Sequence, residues 1–404
     1  MIPFSPPHID QKHIDAVTKV LQSGWITTGP YTKQFEKEIV KYCGCKSVLC
    51  LNSATAGLEI VLAWFGIKEG DEVILPAYTY CATANVIMHR GATPVFVDVN
   101  PNDFNISIAA IEKAITAKTK VIIPVDIGGY PCDYDEINKL VIKQNNKFSP
   151  STEEQKLLGR ILVLSDSAHS FGASYKEKKT GTLADISVFS FHAVKNLSTA
   201  EGGAIALNLP SPFVNENVYK QLSIKSLHGQ NRDALAKIQK QKGGWRYDVI
   251  EAGFKCNMTD IASALGLIEI ERYDNDTLKA RKHIFEQYDA AFCKYSWAQL
   301  PEYKNKDKIG CYHLYPLRIK NITEEQRDAI IEKIFNHDVS VNVHFIPVPM
   351  MSFYKNLGYN IKNYPVSYDN YSREISLPVY YDLNDKMVQT VINAVIDSVE
   401  TTIK

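Results

Sequence analysis

Ile161-Leu162-Val163-Leu164-Ser165-Asp166-Ser167-Ala168-His169 passes from four aliphatic residues into an acid, small polar residues and a histidine. A short continuous apolar run suits a strand buried on both faces of a parallel sheet, and open α/β sheets bind ligands at the carboxyl ends of such strands. Asp166 is therefore expected at a ligand-facing sheet edge. A carboxylate there needs a cation or hydrogen-bond donors, because unpaired burial forces it neutral. A salt bridge or helix cap would satisfy it as well as a ligand would.

The same rhythm extends both ways. From Asn52 to Ala206, helical periodicity alternates with the apolar runs Glu72–Leu75, Thr93–Val97, Lys120–Pro124 and Ile161–Leu164, which read as parallel strands joined by crossover helices. Ile186–Ser190 and Gly203–Leu207 read as two further strands. The polar stretch Lys143 to Arg160 reads as a surface insertion, and Gly229 to Gly244, ahead of Trp245, as a second polar segment. Met258 to Arg272 has helical spacing and is expected to lead out of the large domain. Beyond it, strand Tyr312–Ile319, helix Thr323–Asn336, strand Val339–Val343 and a helix from Asn384 onward read as a smaller α/β unit. The division is residues 1–255 for the large domain and 256–404 for the linking helix and small domain.

Composition narrows the function. The chain has 404 residues, too many for one ordinary core, and its 45% hydrophobic and 22% charged residues are those of a fully folded globular protein. Lys plus Arg number 45 and Asp plus Glu 45, so no net basic field gathers nucleic acid or anionic lipid. No apolar run is long enough to span a bilayer and the N-terminus lacks a signal pattern, so a cytoplasmic location is expected. Eight scattered cysteines fit a reducing compartment, and Cys43, Cys45 and Cys50 lack the further ligands of a tetrahedral metal set.

Three further segments could carry chemistry. Asn52-Ser53-Ala54-Thr55-Ala56-Gly57 opens a helix after an apolar run, where free N–H groups and the helix dipole favour a phosphate, although Ser and Thr also serve there as plain caps. Phe189-Ser190-Phe191-His192-Ala193-Val194-Lys195-Asn196-Leu197, followed by Thr199-Ala200-Glu201-Gly202-Gly203, sets a lysine among small and apolar residues, where desolvation would yield a reactive neutral amine. Pro76-Ala77-Tyr78-Thr79-Tyr80 could lay an aromatic over a flat ring, or simply pack.

Taken in order with Gly24-Trp25-Ile26-Thr27-Thr28-Gly29-Pro30, Gly253 to Asp260, Val343-His344-Phe345-Ile346-Pro347 and Ser376-Leu377-Pro378, these segments resemble the DegT/StrS-type nucleotide-sugar aminotransferases over nearly the whole chain. The resemblance implies the aspartate aminotransferase-like fold (fold type I): a large, mixed, mostly parallel sheet domain with a smaller C-terminal α/β domain. It also implies pyridoxal 5'-phosphate as cofactor, no metal, and a homodimer with active sites at the subunit interface.

The resemblance assigns roles. Lys195 would bind the cofactor as a Schiff base and then shuttle a proton, and Asp166 would keep the pyridine nitrogen protonated. Thr55, Ala56 and Ser190 would hold the phosphate, with Asn257 reaching in from the partner subunit. Tyr80 would stack on the ring and His169 would approach its phenolic oxygen. Thr28, Glu201, His192 and His344 fall at substrate-facing positions; for the two histidines, packing or loop orientation stays open and no proton transfer is assigned.

The implied reaction moves an amino group from glutamate to a nucleotide-linked 4-keto-6-deoxy sugar. The His-Ala-Val-Lys-Asn and Ala-Glu-Gly-Gly segments resemble the branch that aminates carbon four, with a UDP-linked 2-acetamido-4-keto-6-deoxyhexose leading and surface polysaccharide or glycan synthesis as the destination. Val125 to Pro131 departs from the family pattern: Asp126 stands where many members have His and Tyr130 replaces a frequent Gln, which is expected to alter substrate contacts. A related dehydratase would usually carry His in place of Lys195. A noncatalytic cofactor-binding regulator would have no reason to keep Lys195, Asp166 and Ser190 together. A nicotinamide dehydrogenase would need a G-x-G-x-x-G turn, which is absent.

Overall fold

The computed structural model describes residues 1–231 and 247–403, so most of the second polar segment, and Trp245 with it, lies outside the described residues. A seven-stranded sheet runs in the order Ser47–Leu51, Gly203–Leu207, Ile186–Ser190, Leu162–Asp166, Thr119–Ile122, Glu72–Pro76, Thr93–Val97. Gly203–Leu207 pairs antiparallel with both neighbours, and the other pairings are parallel. Each expected strand of this sheet is present, and its aliphatic side chains fill the main core between sheet and helices. The fold is the mixed, mostly parallel α/β sheet expected of a pyridoxal phosphate-dependent aminotransferase.

The helix Asp260–Arg272 packs on Pro30–Cys43 of this body, then passes through a π-turn at Tyr273–Thr277 into Leu278–Phe292. A second core begins at Ile284 and runs to Val399. There, helices Leu278–Phe292, Glu324–Asn336 and Asp385–Ile403 surround the antiparallel sheet Ala298–Gln299, Tyr315–Ile319, Glu374–Leu377. Thr323 caps the middle helix through a reciprocal bond with Gln326, which fixes its start.

Two sequence expectations change. Val339–Val343 is not a strand: Val339 and Val341 are buried in alternation, but the segment makes only single bridges, from Val339 to Ile2 and from Asn342 to Ser376. Tyr315–Ile319 lies between Ala298–Gln299 and Glu374–Leu377, neither of which the sequence reading singled out as a strand. The stretch Lys143 to Arg160 does not merely sit on the surface. It folds a short helix, Glu153–Leu158, capped by Thr152, and its Gln155 is fully buried and donates to the Phe65 carbonyl at 2.9 Å. One buried polar side chain leaves no hydrophobic pattern to read. Among the described residues, no helix is long and apolar enough to cross a membrane.

Candidate active site

The carboxyl ends of the parallel strands converge on one edge of the large sheet. Ser53–Thr55 follow Ser47–Leu51, Tyr80 follows Glu72–Pro76, Asp166 closes its own strand, and Lys195 follows Ile186–Ser190. Glu201 and Gly202 precede the antiparallel Gly203–Leu207 and so reach the same edge. Together with His344 and Phe345 from the second lobe, they line a cavity of about 400 Å³, large enough for a small organic group.

The helix Ala54–Trp64 points its N-terminus into this cavity. Ser53 caps it by accepting from Ala56 N at 3.1 Å, so the Ala56 amide is already engaged and Ala56 is not on the cavity wall, while Ala54, Thr55 and the Ser190 side chain are. The close approach depends on Gly203, where a Cβ would lie 2.5 Å from Ala54 N. An anion placed there meets backbone donors and the positive end of the helix dipole.

Asp166 is buried, with Oδ2 accepting from Thr83 Oγ1 at 2.8 Å and Oδ1 from Ala168 N at 3.2 Å. Among the described residues no cation lies within 4.0 Å, and burial raises its pKa despite those two donors and the more distant Lys195. Such a carboxylate has lone pairs to spare for a charged N–H. Lys195 is half-buried on the same wall, and its Nζ makes no hydrogen bond among the described residues. Burial lowers it from the ordinary lysine value to about 8, with Asp166 opposing the shift. At pH 7 about a tenth of such a group is the neutral nucleophile, against roughly one part in three thousand for a solvated lysine.

Two buried histidines, His169 and His313, and the half-buried His344 stand near the amine, each held neutral chiefly by desolvation and further by Lys195 or by each other. His169 Nδ1 accepts from Gly128 N at 3.3 Å, so the proton of the neutral ring sits on Nε2. His313 Nδ1 donates to Asn196 Oδ1 at 2.9 Å, because the Asn196 amide nitrogen is turned to the Cys311 carbonyl at 2.7 Å. These two bonds tie the residue after Lys195 to the second lobe. Tyr80 is more than half exposed, with its ring 5.6 Å from that of Phe345. His192 and Glu201 are exposed at the mouth, 3.6 Å apart.

Besides Ala56, the expected Asn257 and Thr28 do not line this cavity in their own chain. Asn257 donates to Thr28 Oγ1 at 2.7 Å, and Thr28 donates to the Met258 carbonyl at 2.5 Å. Asp126 and Tyr130 do not reach the cavity either. Asp126 is fully buried and accepts from Cys132 N, Tyr134 and Ser170, organising the turn, while Tyr130 donates to Glu302 at 2.6 Å. Their expected influence on substrate contacts has no basis in this geometry. Cys43, Cys45 and Cys50 are buried free thiols of the core. Sequence reading missed Thr83, Asn196, His313, and Phe4 and Ser5, which cross the cavity from the N-terminus.

These residues fit pyridoxal phosphate: a helix start and Ser190 for the phosphate, an acid short of a cation for the ring nitrogen, and an amine of lowered pKa for the aldehyde.

The sequence model of the DegT/DnrJ/EryC1/StrS aminotransferase family matches residues 7–396. The chain is 36% identical to the spore coat polysaccharide biosynthesis protein SpsC of Bacillus subtilis over 99% of its length and 97% of that protein's. Its structure superposes on the putative sugar aminotransferase Spr1654 of Streptococcus pneumoniae in the PMP form with a TM-score of 0.96, at 43% identity and full coverage of both chains. It likewise resembles Helicobacter pylori PseC, an aminotransferase involved in the biosynthesis of pseudoaminic acid, with a TM-score of 0.86 at 29% identity over 99% of each chain.

Proposed function

Because the chain belongs to the DegT/DnrJ/EryC1/StrS aminotransferase family, we propose that it moves the amino group of glutamate to carbon four of a nucleotide-linked 4-keto-6-deoxy sugar in the cytoplasm. The leading acceptor is a UDP-linked 2-acetamido-4-keto-6-deoxyhexose, and the product enters a surface polysaccharide or glycan. The protein is a pyridoxal phosphate-dependent sugar aminotransferase; donor, sugar and regiochemistry are the proposal. The observation that carries it is the Lys195 amine of lowered pKa in one cavity with the cation-poor Asp166.

When bound, pyridoxal phosphate supplies an electron-accepting ring and a carrier for the amino group. Lys195 would hold the group through Nζ, and the same Nζ would serve as the site's proton carrier. Asp166, braced by Thr83 and Ala168, holds the ring nitrogen protonated. The start of Ala54–Trp64, with Thr55 and Ser190 but not Ala56, whose amide is engaged by Ser53, would bind the phosphate, and Tyr80 would cover the ring face. His169, its Nδ1 engaged by Gly128 N, would offer Nε2–H to the phenolic oxygen. His192, Glu201 and His344 would meet the sugar nucleotide in their own cavity, whereas Thr28, bonded to Asn257, would reach the one in the partner subunit's cavity. In the homodimer we propose, the Asn257 of each chain reaches the phosphate held by the other; in its own chain it does not line the cavity.

The test combines purified protein, pyridoxal phosphate, glutamate and a panel of nucleotide-linked keto sugars, with products identified by mass and NMR. Nitrogen at carbon four is expected. Nitrogen at carbon three overturns the regiochemistry, and no amination of any sugar nucleotide overturns the substrate class.

A further inference from the structure

We propose that Glu374 and Ser376 are positioning residues that decide which hydrogen-bond polarity His344 offers to a substrate in the cavity. The inference rests on the reading of this cavity as the sugar site. Glu374 is completely buried; its Oε2 accepts the backbone N–H of His344 at 3.0 Å, and its Oε1 lies 2.5 Å from the Ser376 hydroxyl. Ser376 Oγ in turn lies 2.9 Å from His344 Nδ1. The ring is held by Phe4, stacked at 5.3 Å, and by Phe345, edge-on at 5.0 Å, while Tyr78 donates to the His344 backbone carbonyl at 2.5 Å.

A hydroxyl has one proton to donate, so both bonds of Ser376 run in the same sense along this chain. With Glu374 ionised, Ser376 donates to it, His344 Nδ1–H donates to Ser376, and Nε2 is a bare acceptor. With Glu374 protonated, its Oε1–H donates to Ser376, Ser376 donates to Nδ1, and the ring proton sits on Nε2, now a donor. Between the two states Nε2 takes one proton from the cavity, Nδ1 passes its proton to Ser376, and Ser376 passes its own to Glu374. The ring reverses polarity without changing charge, and the buried acid stores the proton.

The surroundings suit this exchange. Glu374 faces the Arg327 and Arg318 guanidiniums and the Tyr78 phenol, yet burial outweighs the arginines and holds its carboxyl up at about 8. His344 faces Lys195, His169 and His313; burial, then Lys195, pull it down to about 3. The ring therefore stays neutral across the range in which the acid titrates.

The test is long-range 1H–15N correlation on the full chain carrying 15N-histidine, between pH 6.5 and 9.5, with His344→Gln identifying the signal. His344 should read as the Nε2–H tautomer at the acid end and Nδ1–H at the alkaline end, with its midpoint at about 8. Glu374→Gln should keep the Nε2–H form throughout, because its amide oxygen takes the His344 N–H and its NH2 donates to Ser376. Ser376→Ala should abolish the response. A wild-type ring that keeps one tautomer, or a Glu374→Gln ring that still switches, overturns the proposal. The tautomer signal does not depend on which sugar is aminated, so failure of the substrate reading shows separately in the product analysis.

Discussion

Replacing Thr83 by Val removes one hydroxyl from a buried site without changing its shape, and the hydroxyl lost is the 2.8 Å donor to Asp166 Oδ2. The carboxylate is left with the Ala168 amide alone, at 3.2 Å. A hydrogen bond to a charged group contributes about 1.5–3 kcal/mol. At about 1.4 kcal/mol per pKa unit, its loss raises an acid already lifted by burial by roughly one to two units more. An acid that prefers its own proton holds a protonated ring nitrogen less well, so the half-reaction with glutamate should slow about ten- to a hundredfold. Stopped-flow absorbance of the pyridoxal phosphate-loaded enzyme under single-turnover conditions reads this rate directly. Thr83→Ser, which restores the donor, should recover most of it. A Thr83→Val enzyme within twofold of wild type would refute the argument that this hydroxyl tunes the acid.

Lys195→Ala should lose the long-wavelength absorbance of covalently held pyridoxal phosphate while keeping its Tm within a few degrees; a surviving band with full turnover would reassign the amine. Because only neutral Lys195 captures the aldehyde, and its pKa is lowered to about 8, the capture rate by the cofactor-free protein should climb through pH 7 with its midpoint at about 8 and level off beyond it. A midpoint near the ordinary lysine value would place the amine in bulk water. Gly203→Ala puts a Cβ 2.5 Å from the Ala54 amide and from the Ser53 carbonyl carbon, both backbone atoms. The strand and the helix start must separate at a cost of about 1–3 kcal/mol, and pyridoxal phosphate affinity, followed by fluorescence titration, should fall tenfold or more; unchanged affinity would remove the helix start from the phosphate site.

What the sequence conveyed follows from which forces leave a periodic trace. Strands buried on both faces announce themselves as apolar runs, so the large sheet was legible. Val339–Val343 alternates as a strand does, but its alternation records burial alone, since its backbone meets Ile2 and Ser376 at one residue each. Asp166 and Asp126 both follow apolar runs at sheet ends, and only the structure separates them: one lines the cavity, the other turns inward to Tyr134, Ser170 and the Cys132 amide. Lys195 stood out locally through its small and apolar neighbours, and the family resemblance gave it its role. Thr83 meets Asp166 across 83 residues, and His313 meets Asn196 across 117. Pairings made only by the folded topology have no local signature.

The account depends on covalent capture of pyridoxal phosphate by one buried amine. Borohydride reduction of the loaded protein fixes that bond permanently, and peptide mass spectrometry then locates it. The adduct should fall on the peptide that contains Lys195, and should be missing from Lys195→Ala; an adduct on another lysine, or none at all, would contradict the account.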